Sequence, residues 1–436
     1  MLAKKRDDIL YWGLAALILY MPLHYYLCEL LISGTNLDNV ARDAVILMLC
    51  ALVFFRKECF SSLLSIFVLV SCGVLTCFGV VSAVLNRSFP VLNILRTYLV
   101  PMLMFFICRS IRITKERFER LNLFLMIELA IVAFYGFIQA FFLTDDFLML
   151  IGYPHNGDYM DYTYYISFYW GYQRTVGTFV GPNICGAILA VGMCSLLFAD
   201  RSCPFKWYYI WGSLFMTGLI TTFSRSSWLG FAAATGFFVL LRKSWTRLTK
   251  KTLGRIGLVI LAVAIFLVLD YLILDSLVLR MFLSQTLRTF TNEDPSANAH
   301  MEHLTSPPVI TTPEVPDESV PSALAFLMNF GTNGPLAAEI MPNATKVESS
   351  YYLMQYELGL IGALVYYAPY VLLIVQTVIN RKRCTCYVPA AVCIAIMVSY
   401  VFLPNVQTFE IPFYCFMFMG FYDNPSVKEL YPAQTV

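Results

Sequence analysis

Twelve stretches of this chain are predominantly apolar, most of them near the roughly 20 residues a helix needs to cross a lipid phase, with the second and the last few short or polar. Lipid offers no partner to an unpaired amide, so only segments that close their own backbone hydrogen bonds can lie in it. The stretches fall near 9–32, 44–55, 60–85, 89–108, 120–143, 182–198, 207–223, 226–241, 256–274, 350–379, 388–403 and 408–421. Composition agrees: 13% of residues are charged and mean hydropathy is +0.68, more apolar surface than one aqueous core could hide. The predicted fold class is an all-α polytopic membrane protein of about 12 transmembrane helices.

Lys and Arg stay on the cytoplasmic side of short loops, and this sets the orientation. With the N-terminus inside, 22 of the 30 basic residues fall inside. The others are Arg42, Arg87, Arg96, Arg174, Arg225, Arg280, Arg288 and Lys346, so the net charge of +2 hides a strong asymmetry. It gives no support to a nucleic-acid partner. Met1 to Asp8 is short, charged and followed by no small-residue cleavage site, which predicts a retained signal anchor. The expected organisation is N-terminal helices over 1–143, an aromatic outer loop over 144–181 and central helices over 182–274. A large outer loop then spans 275–349, and 350–436 holds the C-terminal helices with a short cytoplasmic tail. All 13 Cys lie in spans or inner loops, which argues against a disulfide framework.

The polar insert of 275–349 is too long to be a connector, and it closes on Glu348 and Ser349 where the chain re-enters an apolar phase. The other outer loop is dense in aromatics, among them Tyr164, Tyr165, Phe168, Tyr169, Trp170 and Tyr172. Such rings suit the bilayer interface or the CH-rich faces of sugars.

Arg174 precedes Thr175-Val176-Gly177-Thr178-Phe179-Val180-Gly181-Pro182-Asn183, a turn that leads to Pro182 at the first position of a helix. A cation beside a helix start makes an anion site, because the free amides and the positive dipole end add to it. The construction recurs at Thr222-Phe223-Ser224-Arg225-Ser226, where Ser224 or Ser226 can cap. Each Arg could instead snorkel to lipid phosphates. Two of them on the side depleted of basic residues favour a shared anion. Arg96 falls about 10 Å into its span, at about 1.5 Å per residue, so it is expected to be paired or functional. Glu128 is the expected partner. His300 and His303 share a spacing that suits a metal on one helix face, but no third ligand follows and a surface location reads equally well. Asp270 and Glu357 read as interfacial acids. Glu348 reads either as a helix-start charge, with Ser349 as cap, or as a general base for an incoming hydroxyl.

Arg174-Thr-Val-Gly-Thr-Phe-Val-Gly-Pro-Asn183, then Thr222-Phe-Ser-Arg225, then Glu348-Ser349 with Gly359 and Gly362 resemble the motifs of the O-antigen ligase and polymerase superfamily. The resemblance covers roughly 174–362, and the earlier spans only by topology. It implies a C-type membrane glycosyltransferase bundle and an inverting, metal-independent transfer from a polyprenyl-diphosphate-linked glycan. No cofactor is implied. By similarity Arg174 and Arg225 would hold the donor diphosphate, with Arg280 or Arg288 as a third cation and Glu348 as base. Ligases of this family carry a His where Glu348 stands, so the departure favours a repeat-unit polymerase over a ligase acting on lipid A core or protein. A second departure is the stretch of 296–303, where an Arg is expected and His300 and His303 stand. Tyr351 and Tyr352 would shape the sugar groove, and Arg96 could touch substrate. The implied partners are an undecaprenyl-diphosphate-linked donor and acceptor, the bilayer, a chain-length regulator and a flippase. The rival class is a transporter of lipid-linked oligosaccharide, which would line its cavity with charge across the midplane. The expected location is a bacterial inner membrane with both termini cytoplasmic and the site facing outward.

Overall fold

The computed structural model describes residues 2–24, 26–27, 37–54, 56–85, 90–144, 147, 150, 168–169, 172–179, 181–198, 208–241, 268, 271–272, 349–380 and 387–430. The chain divides into two compact units, Met1–Phe237 with Ile310–Val436, and Phe238–Val309. Of the second, only the last residues of one helix and residues 268, 271 and 272 are described. The first contains the helices α1 Leu2–Tyr20, α2 Leu37–Phe54, α3 Leu63–Leu85, α4 Pro90–Ser110 and α5 Lys115–Phe141. A small hairpin follows, β1 Phe168–Tyr169 against β2 Tyr172–Gln173. Then come α6 Pro182–Phe198, α7 Tyr208–Thr221, and α8 Arg225–Leu241, whose last residues pass into the second unit. The C-terminal part is α9 Ser350–Ile379, α10 Val388–Phe402, α11 Glu410–Asp423 and α12 Pro425–Leu430.

Three of these helices contain segments long and apolar enough to cross a membrane, Leu63–Val81, Lys115–Phe141 and Glu357–Ile379, and four more are apolar but shorter. Their outer faces carry exposed Ile66, Val70, Ile131, Phe134, Leu364 and Val371, the surface a multi-pass membrane protein turns to lipid. Every expected span except 256–274 corresponds to a described helix, and that one falls almost wholly outside the described residues. The second helix begins at Leu37, earlier than the expected 44, and so takes in Arg42 and Asp43. Those two charges neutralise each other at 3.0 Å, which lets them enter the bundle.

Packing runs in a closed circuit from α9 through α10, α6, α7, α5, α1, α2, α4 and α3 back to α9. Inside it α11 lies against α4, α10 and α6. All 14 residues of α11 are buried, as a helix with no polar stripe should be. It approaches α4 closely because Gly420 has no side chain: a Cβ there would stand 2.5 Å from the Phe105 carbonyl oxygen.

The end of α4 is fastened by charge. Arg109 meets Asp423 Oδ2 at 2.8 Å and donates from Nη2 to Ser61 Oγ at 2.8 Å. Lys428 Nζ reaches the other oxygen of Asp423 at 2.8 Å, and Ser62 donates to Asp423 as well. Arg56 pairs with Asp7, and Arg117 pairs with Asp8 at 2.5 Å. Asn424 Nδ2 donates to the carbonyls of Cys108 and Ile111 at 2.6 and 2.8 Å, tying off the C-terminus of α4. All of these residues belong to stretches that the positive-inside pattern puts on one side.

Candidate anion site

Two turns 50 residues apart in sequence are sewn into one structure. The hairpin, with Phe168 opposite Gln173 and Tyr169 opposite Tyr172, leads directly into Arg174. Thr175 then donates its amide to the Thr221 carbonyl at 2.9 Å, and its hydroxyl meets that of Thr221 at 2.7 Å. Gln139, buried in α5, accepts the amides of Val176 and Gly177 at 3.0 and 2.8 Å. Gly177 has φ +63°, and a Cβ on it would stand 3.1 Å from Val132 Cγ1 and 3.2 Å from Cys185 Sγ. The position therefore needs glycine for its backbone and for its space. Pro182 opens α6, as the sequence predicts.

The second turn lies between α7 and α8. Phe223 is held at φ 51°, a conformation that costs an L-residue about 1–2 kcal/mol. Its surroundings enforce it: Phe223 N donates to the Ile220 carbonyl at 3.0 Å, and Ser224 N donates to Thr222 Oγ1 at 3.2 Å. Trp228 Nε1 closes the turn on the Leu219 carbonyl at 2.7 Å. Such enforced strain concentrates at functional sites. Ser224 precedes the first residue of α8, the half-buried Arg225, and its hydroxyl lies 3.2 and 2.8 Å from those of Ser226 and Ser227.

Arg174 joins the two turns. Its Nε donates to the Thr222 carbonyl at 2.8 Å, and its Nη2 donates to Asn183 Oδ1, in the first turn of α6, at 3.1 Å. Ser227 Oγ donates to the Asn183 carbonyl at 3.4 Å, so α8 also touches the start of α6. Gly186 permits the approach, since a Cβ there would lie 2.9 Å from Ser224 Cβ, Ser227 Oγ and Thr222 Oγ1 alike. The starts of α6 and α8, the Arg174 guanidinium and Arg225 thus share one region. Two positive helix ends and the Arg174 guanidinium, with Arg225 as the first residue of α8, make it suited to a multiply charged anion such as a diphosphate.

Arg96 is paired, but not with the expected Glu128. Its Nε meets Asp43 Oδ2 at 3.2 Å, while Glu128 is buried in α5 and its Oε1 has no hydrogen-bond partner among the described residues. Glu357 also departs from expectation. It is fully buried rather than interfacial, accepting from Tyr98 OH and, at 2.9 Å, from Gln407 Nε2. Ser349 occupies the N-cap position of α9 but makes no capping bond, because its hydroxyl donates to the Tyr400 carbonyl at 3.3 Å. Tyr351 donates to the Met397 carbonyl at 2.8 Å and stacks on Tyr367 with centroids 4.7 Å apart, so its polar edge is engaged within the bundle. Tyr352 is half-buried in the same turn of α9. Of the two spaced glycines, Gly359 has φ 69° and breaks α9. Glu348, Arg280, Arg288, His300 and His303 lie outside the described residues. Among the described residues no group of three or more His, Cys, Asp and Glu side chains is placed to hold a metal ion.

Gln139 and Asp43 are the two contributors that sequence reading passes over. A signal existed for each, a lone amide and an Arg-Asp pair inside apolar helices, where an uncompensated polar group is costly. No family model matches the chain, and no curated protein matches it.

Proposed function

We propose that this protein is a polytopic inner-membrane glycosyltransferase of about 12 spans that polymerises polyprenyl-diphosphate-linked oligosaccharide repeat units at the outer leaflet. The observation that carries the reading is Arg174 bridging the Thr222 carbonyl and Asn183 Oδ1, which gathers two Arg-bearing helix starts into one anion site. In this reading Arg174 and Arg225 bind the donor diphosphate, joined by Arg280 or Arg288. An acceptor sugar hydroxyl attacks the anomeric carbon of the donor. The bond from that carbon to the diphosphate oxygen breaks, and the diphosphate leaves with the electron pair. Glu348 takes the hydroxyl proton. Charge that builds on the leaving oxygens is stabilised by the guanidiniums and amides already in place.

Replacing Arg174 or Arg225 by Ala in the native host should leave a single repeat on the carrier where the wild type makes a ladder. An undiminished ladder would remove the diphosphate assignment. Glu348→Gln should stop elongation in a protein that still folds and inserts, and polymer of normal length from that variant would return Glu348 to a helix-start charge.

A further inference from the structure

A second cationic cluster adjoins the first and is not used by the donor reading. His24, just after the turn that follows α1, lies 2.9 Å from Arg42 Nη1 through its Nε2. Arg42 donates from Nε to Asp43 Oδ1 at 3.0 Å and lays its guanidinium carbon 3.5 Å over the Phe409 ring. Glu410, the next residue, is buried and close enough to Arg42 to feel its charge. Arg42 and Asp43 have 3% and 7% of their side chains exposed, so both are spent inside the bundle.

Arg96 is different. Its Nε lies 3.2 Å from Asp43 Oδ2, an ion pair by distance in which neither atom makes a hydrogen bond to the described residues, and 32% of the side chain stays exposed. Its Nη nitrogens are not among the buried ones and make no hydrogen bond to the described residues. Compare Arg109, 3% exposed, whose Nη1 and Nη2 both end on protein. An Arg that serves only to close a charge pair is built like Arg109. One held beside a carboxylate by charge alone, with its two Nη nitrogens meeting no acceptor among the described residues, has a planar fork left to offer something else.

The cluster lies next to the donor turn. Thr178, four residues past Arg174, donates its hydroxyl to the Pro22 carbonyl, and His24 follows two residues later. The Arg174 turn and the Arg96 cluster are therefore linked through the Thr178–Pro22 hydrogen bond and short stretches of chain on either side of it.

We propose that Arg96, ion-paired with Asp43, is a second anion site that binds the phosphate oxygens of a second lipid-linked molecule, the acceptor. The assignment rests on the polymerase reading, in which donor and acceptor each carry a polyprenyl diphosphate and each needs a grip. It also separates polymerase from ligase, since an acceptor on lipid A core or protein brings no carrier diphosphate to this place. Asp43 acts as a positioning residue that holds the Arg96 charge at this place.

The test is the number of undecaprenyl diphosphate molecules held by the full-length protein in phosphatidylcholine nanodiscs, read by native mass spectrometry. Wild type should hold two, Arg96→Gln one, Arg174→Ala one, and the double variant none. Arg96→Lys keeps the charge against Asp43 but loses the fork. Should the Gln variant fail to fold, this one should bind the second molecule about tenfold more weakly. Two molecules retained by Arg96→Gln, or by Arg96→Lys at unchanged affinity, overturns the proposal. So does displacement of the Arg96-dependent molecule by an equal fraction of phosphatidylglycerol, which would make the site a seat for bulk lipid headgroups. An Arg174→Ala protein that keeps both molecules refutes the donor assignment alone.

Discussion

Asp423 and Asp43 stand at opposite ends of α4, about 20 Å apart along the stretch from Arg96 to Arg109 at about 1.5 Å per residue. Each is shared between two basic side chains, Arg109 and Lys428 for one, Arg42 and Arg96 for the other. At Asp423 the protein closes its own charges: both of its oxygens and both Nη nitrogens of Arg109 end on protein groups. At Asp43 the closure is one-sided, because Arg42 is consumed inside while Arg96 keeps an exposed face. The same chemical pair thus serves as cement at one end and as a bracket at the other. What separates the two is how many of the donors are left over, and no count of salt bridges would show it.

The comparison breaks most visibly in stability. Asp423→Ala strands Arg109 in the interior without its carboxylate and should cost about 3–5 kcal/mol, seen as loss of folded protein or a large drop in Tm in detergent. Asp43→Ala also takes the carboxylate from buried Arg42, but Arg42 keeps His24 and the Phe409 ring while Arg96 turns its charge to the exposed side, so a smaller loss is expected. Equal losses would erase the distinction between cement and bracket.

Gly186→Ala sharpens it from the side of function. Its Cβ would press on Ser224, Ser227 and Thr222, all at 2.9 Å, and so push the start of α6 away from the turn before Arg225. A stability loss of about 1–3 kcal/mol is expected, and under the proposed polymerase function elongation should be lost far more completely than folding. Folding and elongation that fall together would instead make this region ordinary packing.

The smallest expected effect concerns two neighbouring serines at the start of α9. Ser350 donates to the Leu403 carbonyl at 2.5 Å and accepts from Val406 N at 3.1 Å, both within the buried interior. Ser349 makes the single bond to Tyr400 at 3.3 Å. Ser350→Ala should therefore cost about 1–3 kcal/mol, and Ser349→Ala about 1 kcal/mol or less, in thermal or denaturant unfolding. The reverse order would show that Ser349 has a partner of greater weight.

Helix positions were legible because hydropathy over a window of about 20 residues is a local property. Pro182 and Arg225 open their helices as the Pro and cap signals say they should. That the two Arg-bearing turns join was legible only as a shared chemistry. The bonds that make the junction, Thr175 to Thr221 and Arg174 to Thr222, run between segments whose meeting is decided by the packing of α5, α6 and α7. Arg96 announced its need for a partner, since a charge at that depth is costly. Its partner was missed because Asp43 looked like the approach to a short span, and pairing across helices leaves no mark on spacing. Glu357 was misread for a related reason. A carboxylate about two turns from the nominal membrane edge looks interfacial until Tyr98 and Gln407 are seen to close over it.

Gly359 carries a mechanical consequence. Its left-handed backbone divides α9 into a short opening segment and a long one. The opening segment is bolted down: Ser350 is tied by its amide and hydroxyl to Leu403, by Val406, and by Tyr367 from the far side of the break, while Glu357 is pinned by two further side chains. The bundle therefore offers whatever precedes Ser349 a fixed post rather than a lever. A pull on the chain there is taken up by the neighbouring helices and stops at the joint, so the long half of α9 keeps its register.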